Sequence, residues 1–183
     1  MKDLDFLDHL DDIAPTSILV APQPVLSRVA HEVRPEDMSG IREALPGMFS
    51  AMYKAPGIGL AAPQVGLSQR FVLVDVARED EPRDPMVLIN PEIIDSAETL
   101  AAREEGCLSL PNQYAEVIRP ESIRVRYRNL AGETIEQEAS GLLATCIQHE
   151  IDHLDGILFV DHLSSLRRNM IMRRLAKEQK RRR

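Results

Sequence analysis

A His-Glu-x-x-His motif constrains this sequence most, because it places two metal-binding side chains one helical turn apart. The motif, HEIDH (149–153), lies within 141–155, where we predict a helix with Ser140 as N-cap and Gly156 as its stop. Residues four apart share a helical face, so both imidazoles can bind one ion, with Glu150 directed towards a bound water. A buried helix is indicated by its apolar residues, Leu142, Leu143, Ile147, Ile151 and Leu154.

Two histidines do not complete a metal site, so a third ligand must come from elsewhere. The protease pattern HExxHxxGxxH is matched as far as Gly156 but has Phe159 in place of its third histidine, which excludes that class. Cys146 shares the helical face, yet its backbone is about 10 Å from that of His153, so it fits better as a pocket wall. The open candidates are carboxylates and Cys107, Cys146, His9, His31 and His162.

The rest of the pattern predicts an α+β fold, with antiparallel β-sheets around a central metal-binding helix and a C-terminal helix. Residues 35–54 have apolar side chains at helical spacing, with a kink or interruption expected at Pro46-Gly47. A turn at Ala131-Gly132 joins the last two strands. Strands are predicted at 71–76, 86–94, 122–129 and 134–140.

Length and charge predict a single domain with two unlike ends. The 183 residues fit one domain, 1–183, with an acidic N-terminal extension (1–20) that drapes over the body, and a C-terminal helix and basic tail (163–183). The net charge is −7, but the stretch 167–183 carries +8 and the rest of the chain −15, which argues against DNA binding by the body. The sequence lacks a membrane-length apolar run, and its two cysteines are too few for a secreted disulfide framework, so we expect a cytoplasmic protein.

Two further segments have residues that suit a catalytic site. GIGLAAPQ (57–64) has small residues that let another chain approach the backbone, and Gln64 offers an amide donor. In EGCLS (105–109), Cys107 is either a thiolate ligand or a small buried hydrophobe. Each segment alone is also compatible with an ordinary turn or strand end.

Taken together, GIGLAAPQ (57–64), EGCLS (105–109) and QHEIDHLDG (148–156) closely resemble the three motifs of the peptide deformylases, GxGLAAxQ, EGCxS and QHExDHLxG. Their order and approximate spacing also match. PQPVLSRVAHEV (22–33) is similar to the N-terminal strand of the family, and the C-terminal helix resembles that of the bacterial type 1 branch. The resemblance therefore spans nearly the whole chain.

The resemblance implies a metal-dependent hydrolase that removes the N-formyl group from the N-terminal formylmethionine of newly synthesised proteins and releases formate. Cys107, His149 and His153 would hold one divalent metal with water in the fourth place. Glu150 would act as general base and acid on that water. Fe²⁺ is the ion expected natively, and Zn²⁺, Ni²⁺ or Co²⁺ would also suit these ligands.

The resemblance also assigns the contacts with the substrate. The Gln64 side-chain amide and the Leu108 backbone N–H would stabilise the oxyanion, and an extended peptide would add to the backbone near Ile58 and Gly59. The methionine side chain would enter a pocket walled by Ile58, Leu142, Thr145, Cys146 and the ring of His149.

Some residues keep two interpretations at this stage. Glu105 and Arg119 either orient the ligand residues or form an exposed salt bridge. The chain departs from the family pattern at Arg103, where an apolar residue is often found, and at Tyr114, where some members have Arg. Both departures bear on the specificity of the pocket rim.

Three rival functions are weighed against this hypothesis. A metallopeptidase would use a carboxylate or histidine as third ligand, so its metal would stay bound after Cys107→Ala. An RNA- or ribosome-binding module would act through the basic tail. The resemblance makes this tail a candidate for docking on the ribosome, where N-formylmethionyl peptides emerge. The alternative interpretation of the tail is a solvated terminus without a partner. A deformylase-like protein without activity is disfavoured because all the proposed catalytic positions are present.

Overall fold

The computed structural model describes residues 2–78 and 80–182. Met1 and Arg183, the ends of the predicted extension and tail, lie outside the described residues, as does Glu79. The α-helices are α1 (Met38–Lys54), α2 (Gly141–Leu154) and α3 (Ser165–Arg182). The strands are β1 (Gly59–Ala61), β2 (Phe71–Val74), β3 (Met86–Ser96), β4 (Leu100–Cys107), β5 (Leu110–Pro120), β6 (Ser122–Arg128) and β7 (Thr134–Ser140). Short 3-10 helices lie at Lys2–Asp12, Pro24–Ser27, Pro35–Asp37, Ala62–Val65 and Phe159–His162.

The strands form two antiparallel sheets, which confirms the predicted α+β class. Five strands make one sheet in the order β1-β2-β3-β6-β7, and β4 pairs with β5 in a second sheet. β1 is an edge strand, with Gly59 opposite Val74 of β2. Its other edge is therefore open to an added strand.

The central helix α2 is buried because its apolar face packs on the larger sheet. Ile147 and Leu154 are fully buried in a cluster that includes Val72 and Val125. The helix begins and ends where predicted, although Ser140 makes no side-chain capping hydrogen bond. Gly156 has φ +72°, and a Cβ there would lie 2.8 Å from the backbone of Ser27, so the chain needs glycine at this turn.

The four predicted strands are all present, with ends shifted by up to two residues. In β6, Ile123, Val125 and Tyr127 are buried and the arginines between them are exposed, as the alternating pattern predicts. The predicted turn at Ala131-Gly132 joins β6 to β7, and Gly132 has φ +84°. β4 and β5 were absent from the strand prediction.

Of two local expectations, one is wrong and the other loses one of its two alternatives, the interruption. Residues 22–33 do not form a strand: Pro24–Ser27 is a 3-10 helix, and His31 makes only an isolated bridge to Gln69. A proline lacks the N–H that a strand ladder needs, and Pro24 occupies the first helical position. α1 is not interrupted at Pro46. Instead, Gly47 allows close approach of Thr16, whose backbone N–H donates a 3.0 Å hydrogen bond to the Gly47 carbonyl.

Both chain ends pack on this framework. In the extension, Leu10 is buried against α1, and the rings of Phe6 and Phe49 lie 5.8 Å apart. α3 is anchored by Leu175, which is buried with Leu26 and Phe159. Among the described residues, no helix combines the length and apolar character required to cross a membrane.

Candidate metal centre and its cavity

Three side chains from two elements converge at the centre of the molecule. His149 and His153 lie one turn apart on α2, and Cys107 ends β4. One ligand atom from each of these residues lies within 4.8 Å of the other two. The Cys107 Sγ is 3.2 Å from His153 Nε2. A thiolate and two imidazoles are a ligand set that suits Zn²⁺ and divalent iron, nickel or cobalt, so these residues fit a divalent metal.

The other third-ligand candidates are placed elsewhere. Cys146 is buried with its thiol directed at the Ile58 carbonyl, 3.4 Å away. Burial, followed by the charge of Glu150, raises the pKa of this thiol well above its usual value. His162 lies 2.7 Å from an Asp152 carboxylate oxygen. Among the described residues, Cys107 is thus the candidate that joins the two helix histidines.

A buried ion pair holds the ring of His149. The His149 Nδ1 lies 2.9 Å from Glu105 Oε2, which leaves Nε2 for a metal. Arg119 donates two hydrogen bonds to the Glu105 carboxylate, at 2.6 and 3.0 Å, and one to Asp152, at 2.8 Å. Glu105 and Arg119 are each only 6% exposed. The alternative of an exposed salt bridge is therefore wrong.

This ion pair also fixes the charge of Glu105. Burial alone would raise the pKa of the carboxyl, but hydrogen bonds from His149 and Arg119 lower it to about 2. Burial and the charges of His149 and Arg119 lower the pKa of His153 well below its usual value. A lowered pKa favours the neutral imidazole, which is the form that binds a metal.

Glu150 lies beside the metal ligands in a pocket that Gly59 makes possible. A Cβ on Gly59 would lie 2.8 Å from the Glu150 Cδ and 2.9 Å from the Cys146 Sγ. The Glu150 Oε2 is buried without a hydrogen-bond partner among the described residues. Burial is the main cause that raises the pKa of Glu150 to about 7. The carboxyl can therefore change protonation state near neutral pH.

The amide of Gln64 is held in a defined orientation. Its Oε1 accepts a 2.8 Å hydrogen bond from the Ala61 backbone N–H. Its Nε2 therefore points to Cys107 Sγ, 3.5 Å away, and to Ser109 Oγ, 3.2 Å away. Gln64 is 1% exposed. A donor thus faces the metal ligands, as an oxyanion-stabilising group must.

A cavity of about 490 Å³ opens onto this centre. Its lining contains the sequence-predicted residues Ile58, Gly59, Gln64, Cys107, Leu108, Leu142, Thr145, Cys146, His149 and Glu150. His153 is 1% exposed and is absent from the lining. The structure therefore brings together every predicted site residue, on β1, β4, α2, the residue before β1 and the segments that follow β1 and β4.

Sequence reasoning missed several polar partners. Ser109 bonds Gln64, and Asp152 bonds both Arg119 and His162. Ser109 and Asp152 are fixed letters of the motifs EGCxS and QHExDHLxG, which was the available signal. Of the two departures, Tyr114 lines the cavity, whereas Arg103 is absent from its lining.

Comparison with known proteins decides the family. A model of the polypeptide deformylase family matches residues 15–169. The chain belongs to the polypeptide deformylase family. The peptide deformylase of Mesorhizobium japonicum is 49% identical over 160 residues, which cover 87% of this chain and 90% of that protein. As a member of this family the chain is a hydrolase, and the predicted resemblance is confirmed.

Solved deformylase structures share its fold. The crystal structure of peptide deformylase from Ehrlichia chaffeensis matches with a TM-score of 0.85 at 35% identity, covering 91% of this chain and 98% of that one. A class I type b peptide deformylase from Acinetobacter baumannii, with Met-Ala-Ser bound, matches with a TM-score of 0.76 at 32% identity, covering 82% and 99%. The three deformylase motifs of this chain lie within the matched residues 15–169.

Proposed function

We propose that this chain hydrolyses the formamide of an N-terminal formylmethionine on newly synthesised proteins and releases formate. The observation that carries the proposal is the convergence of Cys107, His149 and His153 beside the buried carboxyl of Glu150, in the cavity of a deformylase-family chain. The Met-Ala-Ser complex of the Acinetobacter baumannii enzyme supports a substrate whose first residue is methionine.

Cys107, His149 and His153 would hold one divalent metal, Fe²⁺ natively, with Zn²⁺, Ni²⁺ or Co²⁺ also accepted. When bound, such an ion supplies Lewis acidity for attack on the formyl carbon. Glu105 keeps the ring of His149 in place through the 2.9 Å contact with Nδ1. Arg119 in turn fixes Glu105, so the ligand geometry is set by buried side chains rather than by the ion alone.

Glu150 carries out the proton transfers in this proposal. Its carboxylate takes a proton from the attacking water and later passes that proton to the leaving amine of methionine. Its Oε2 is a buried acceptor without a hydrogen-bond partner among the described residues. Burial raises the pKa of the carboxyl to about 7, which suits both roles.

Two donors would stabilise the negative charge that develops on the formyl oxygen. One is the Gln64 Nε2, whose orientation is fixed by the hydrogen bond between Ala61 and Oε1. The second is the backbone N–H of Leu108, next to Cys107. Removing one such donor typically costs about 2.7–4 kcal/mol in the barrier.

The open edge of β1 gives the peptide its binding mode. Gly59 pairs with β2 on one side only, so an extended peptide can add as a strand on the other side. Binding as an added strand recognises the main chain of the peptide and therefore tolerates many side-chain sequences. The methionine side chain would enter the apolar pocket, whose walls are Ile58, Leu142, Thr145, Cys146 and the ring of His149.

The decisive test is anaerobic purification with metal analysis and a formate-release assay. Formyl-Met-Ala and acetyl-Met-Ala would be compared, since they differ by one methyl group. We expect one divalent ion per chain and release of formate, with little hydrolysis of the acetyl peptide. Equal rates on both peptides would remove the case for a formyl-specific site.

We also propose that the basic tail docks on the ribosome in the cytoplasm. α3 carries exposed cations that suit phosphate contacts: Arg173, Arg174, Lys177, Lys180 and Arg181. Deleting 176–183 would also remove the hydrogen bond from Gln179 to the Ala21 carbonyl. Replacing the five cations with Gln is therefore the cleaner variant. Ribosome cosedimentation should fall in both variants, and unchanged affinity would eliminate docking through the tail.

A further inference from the structure

The segment 18–21, at the end of the N-terminal extension, is hydrogen-bonded to both parts of the chain that carry the proposed oxyanion donors. The Leu19 backbone N–H donates a 2.8 Å hydrogen bond to the Gln64 carbonyl. Two residues later, the Ala21 N–H donates a 2.9 Å hydrogen bond to the Ser109 carbonyl. Gln64 supplies one of the proposed donors, and Ser109 is the residue next to the other. The segment therefore spans the distance between the two donors.

A side-chain contact joins the same two parts of the chain directly. The Gln64 Nε2 donates a 3.2 Å hydrogen bond to the Ser109 Oγ. Together with the two backbone hydrogen bonds from the segment 18–21, this contact closes a ring of three hydrogen bonds. A closed ring fixes the separation of Gln64 and Ser109 more tightly than the single side-chain contact would, because each bond restricts the movement that the others permit.

The segment 18–21 is itself anchored on both sides. Before it, Ser50 of α1, which is 1% exposed, donates a 2.7 Å hydrogen bond from its Oγ to the Ile13 carbonyl. At its end, Gln179 of α3 donates a 2.8 Å hydrogen bond from its Nε2 to the Ala21 carbonyl. Neither helix lines the cavity. Two elements outside the site therefore hold the segment that contacts the oxyanion donors.

We propose that Leu19 and Ala21 are positioning residues for the hydrolysis of the formamide. Their backbone N–H groups hold the two oxyanion donors, the amide of Gln64 and the N–H of Leu108, at the separation that the transition state requires. This proposal rests on the deformylase function proposed above. Oxyanion donors lower the barrier only when they are fixed at hydrogen-bond distance from the developing charge, and small displacements reduce the rate. Loss of either backbone hydrogen bond should therefore lower kcat.

The test removes each N–H by incorporating the α-hydroxy analogue of that residue, which replaces one amide by an ester and keeps the side chain. With the ester at Leu19 or at Ala21, we expect kcat on formyl-Met-Ala to fall by about threefold to tenfold, with KM and metal content unchanged. The matched control is an ester at Val20, whose N–H has no hydrogen-bond partner among the residues that the structure describes. The control should change kcat by less than about twofold. Urea unfolding checks that each ester protein is folded.

The Gln64→Ala background separates positioning from a general structural role. In that variant, the ester at Leu19 has no amide left to position, so it should lower kcat by less than about twofold. The ester at Ala21 should keep its effect in the same background, because it acts on the segment that carries the Leu108 N–H. A merely structural role predicts the same loss for each ester in both backgrounds.

Unchanged kcat in the Leu19 and Ala21 ester proteins would overturn the proposal. A full effect of the Leu19 ester in the Gln64→Ala background would overturn it equally, as would a parallel loss of metal and activity. Absence of formate with the unmodified protein is a different result, since it would refute the deformylase function rather than the role of this segment.

Discussion

Replacing Arg119 with methionine tests whether the buried ion pair supports the metal centre. Methionine approximates the length of the arginine stem but leaves the Glu105 carboxylate buried with only His149 as a partner. Asp152 also loses its 2.8 Å hydrogen bond from Arg119. We therefore expect Arg119→Met to weaken both the fold and the position of His149.

The size of the effect follows from the pKa of Glu105, which falls from 4.5 to about 2 in the folded chain. That difference corresponds to about 3 kcal/mol at neutral pH, and His149 and Arg119 supply it together through their hydrogen bonds and charges. Because the folded-state pKa is depressed, this stability is fully present above pH 4.5 and is lost as the pH falls towards 2. The difference in free energy of unfolding between wild type and Arg119→Met should become smaller as the pH falls from 4.5 towards 2.

Urea unfolding of the metal-loaded proteins at pH 7 measures this loss, and chelator competition measures metal affinity. We expect a loss of about 3 kcal/mol and metal binding weakened by about 10-fold to 100-fold. Arg126→Met is the matched control, since its ion pair with Glu136 at 2.8 Å is nearly half exposed and should contribute under about 1 kcal/mol. Equal losses in the two variants, or unchanged metal affinity in Arg119→Met, would refute the reasoning.

Two further predictions concern the residues around Glu150. Gln64→Ala should lower kcat by about 10²–10³-fold with unchanged metal content, because the amide acts on the oxyanion; parallel loss of metal and activity would contradict that role. Gly59→Ala should destabilise the fold by about 1–3 kcal/mol and lower activity, because its Cβ would overlap Glu150. Gly40→Ala, with nothing within 4 Å, should be neutral or stabilising in the same unfolding assay.

Local patterns in the sequence were enough to predict α2 and its two histidines. Helical spacing places His149 and His153 on one face of α2. Ser140 before the helix and Gly156 after it are residue types that favour a helix start and a helix end. The position of Cys107 could not be derived in this way. It depends on the pairing of β4 with β5, which the sequence pattern did not reveal because their outward faces mix polar and apolar residues.

The buried ion pair was equally hard to predict from the sequence. Arginine is mostly exposed in proteins, so Arg119 alone indicates a surface residue. Its burial makes sense only once Glu105 and Asp152 are known to lie beside it, and these come from different parts of the chain. Likewise, Pro46-Gly47 predicted a kink or an interruption, whereas α1 continues through both residues.

The most direct test of the central claim is X-ray absorption spectroscopy of the anaerobically purified protein. If Cys107, His149 and His153 hold the catalytic ion, the spectrum will show one divalent metal with one sulfur ligand and two imidazole nitrogens. Cys107→Ala should remove the sulfur signal. A wild-type site with only nitrogen and oxygen ligands, or an unchanged spectrum in Cys107→Ala, would contradict the account.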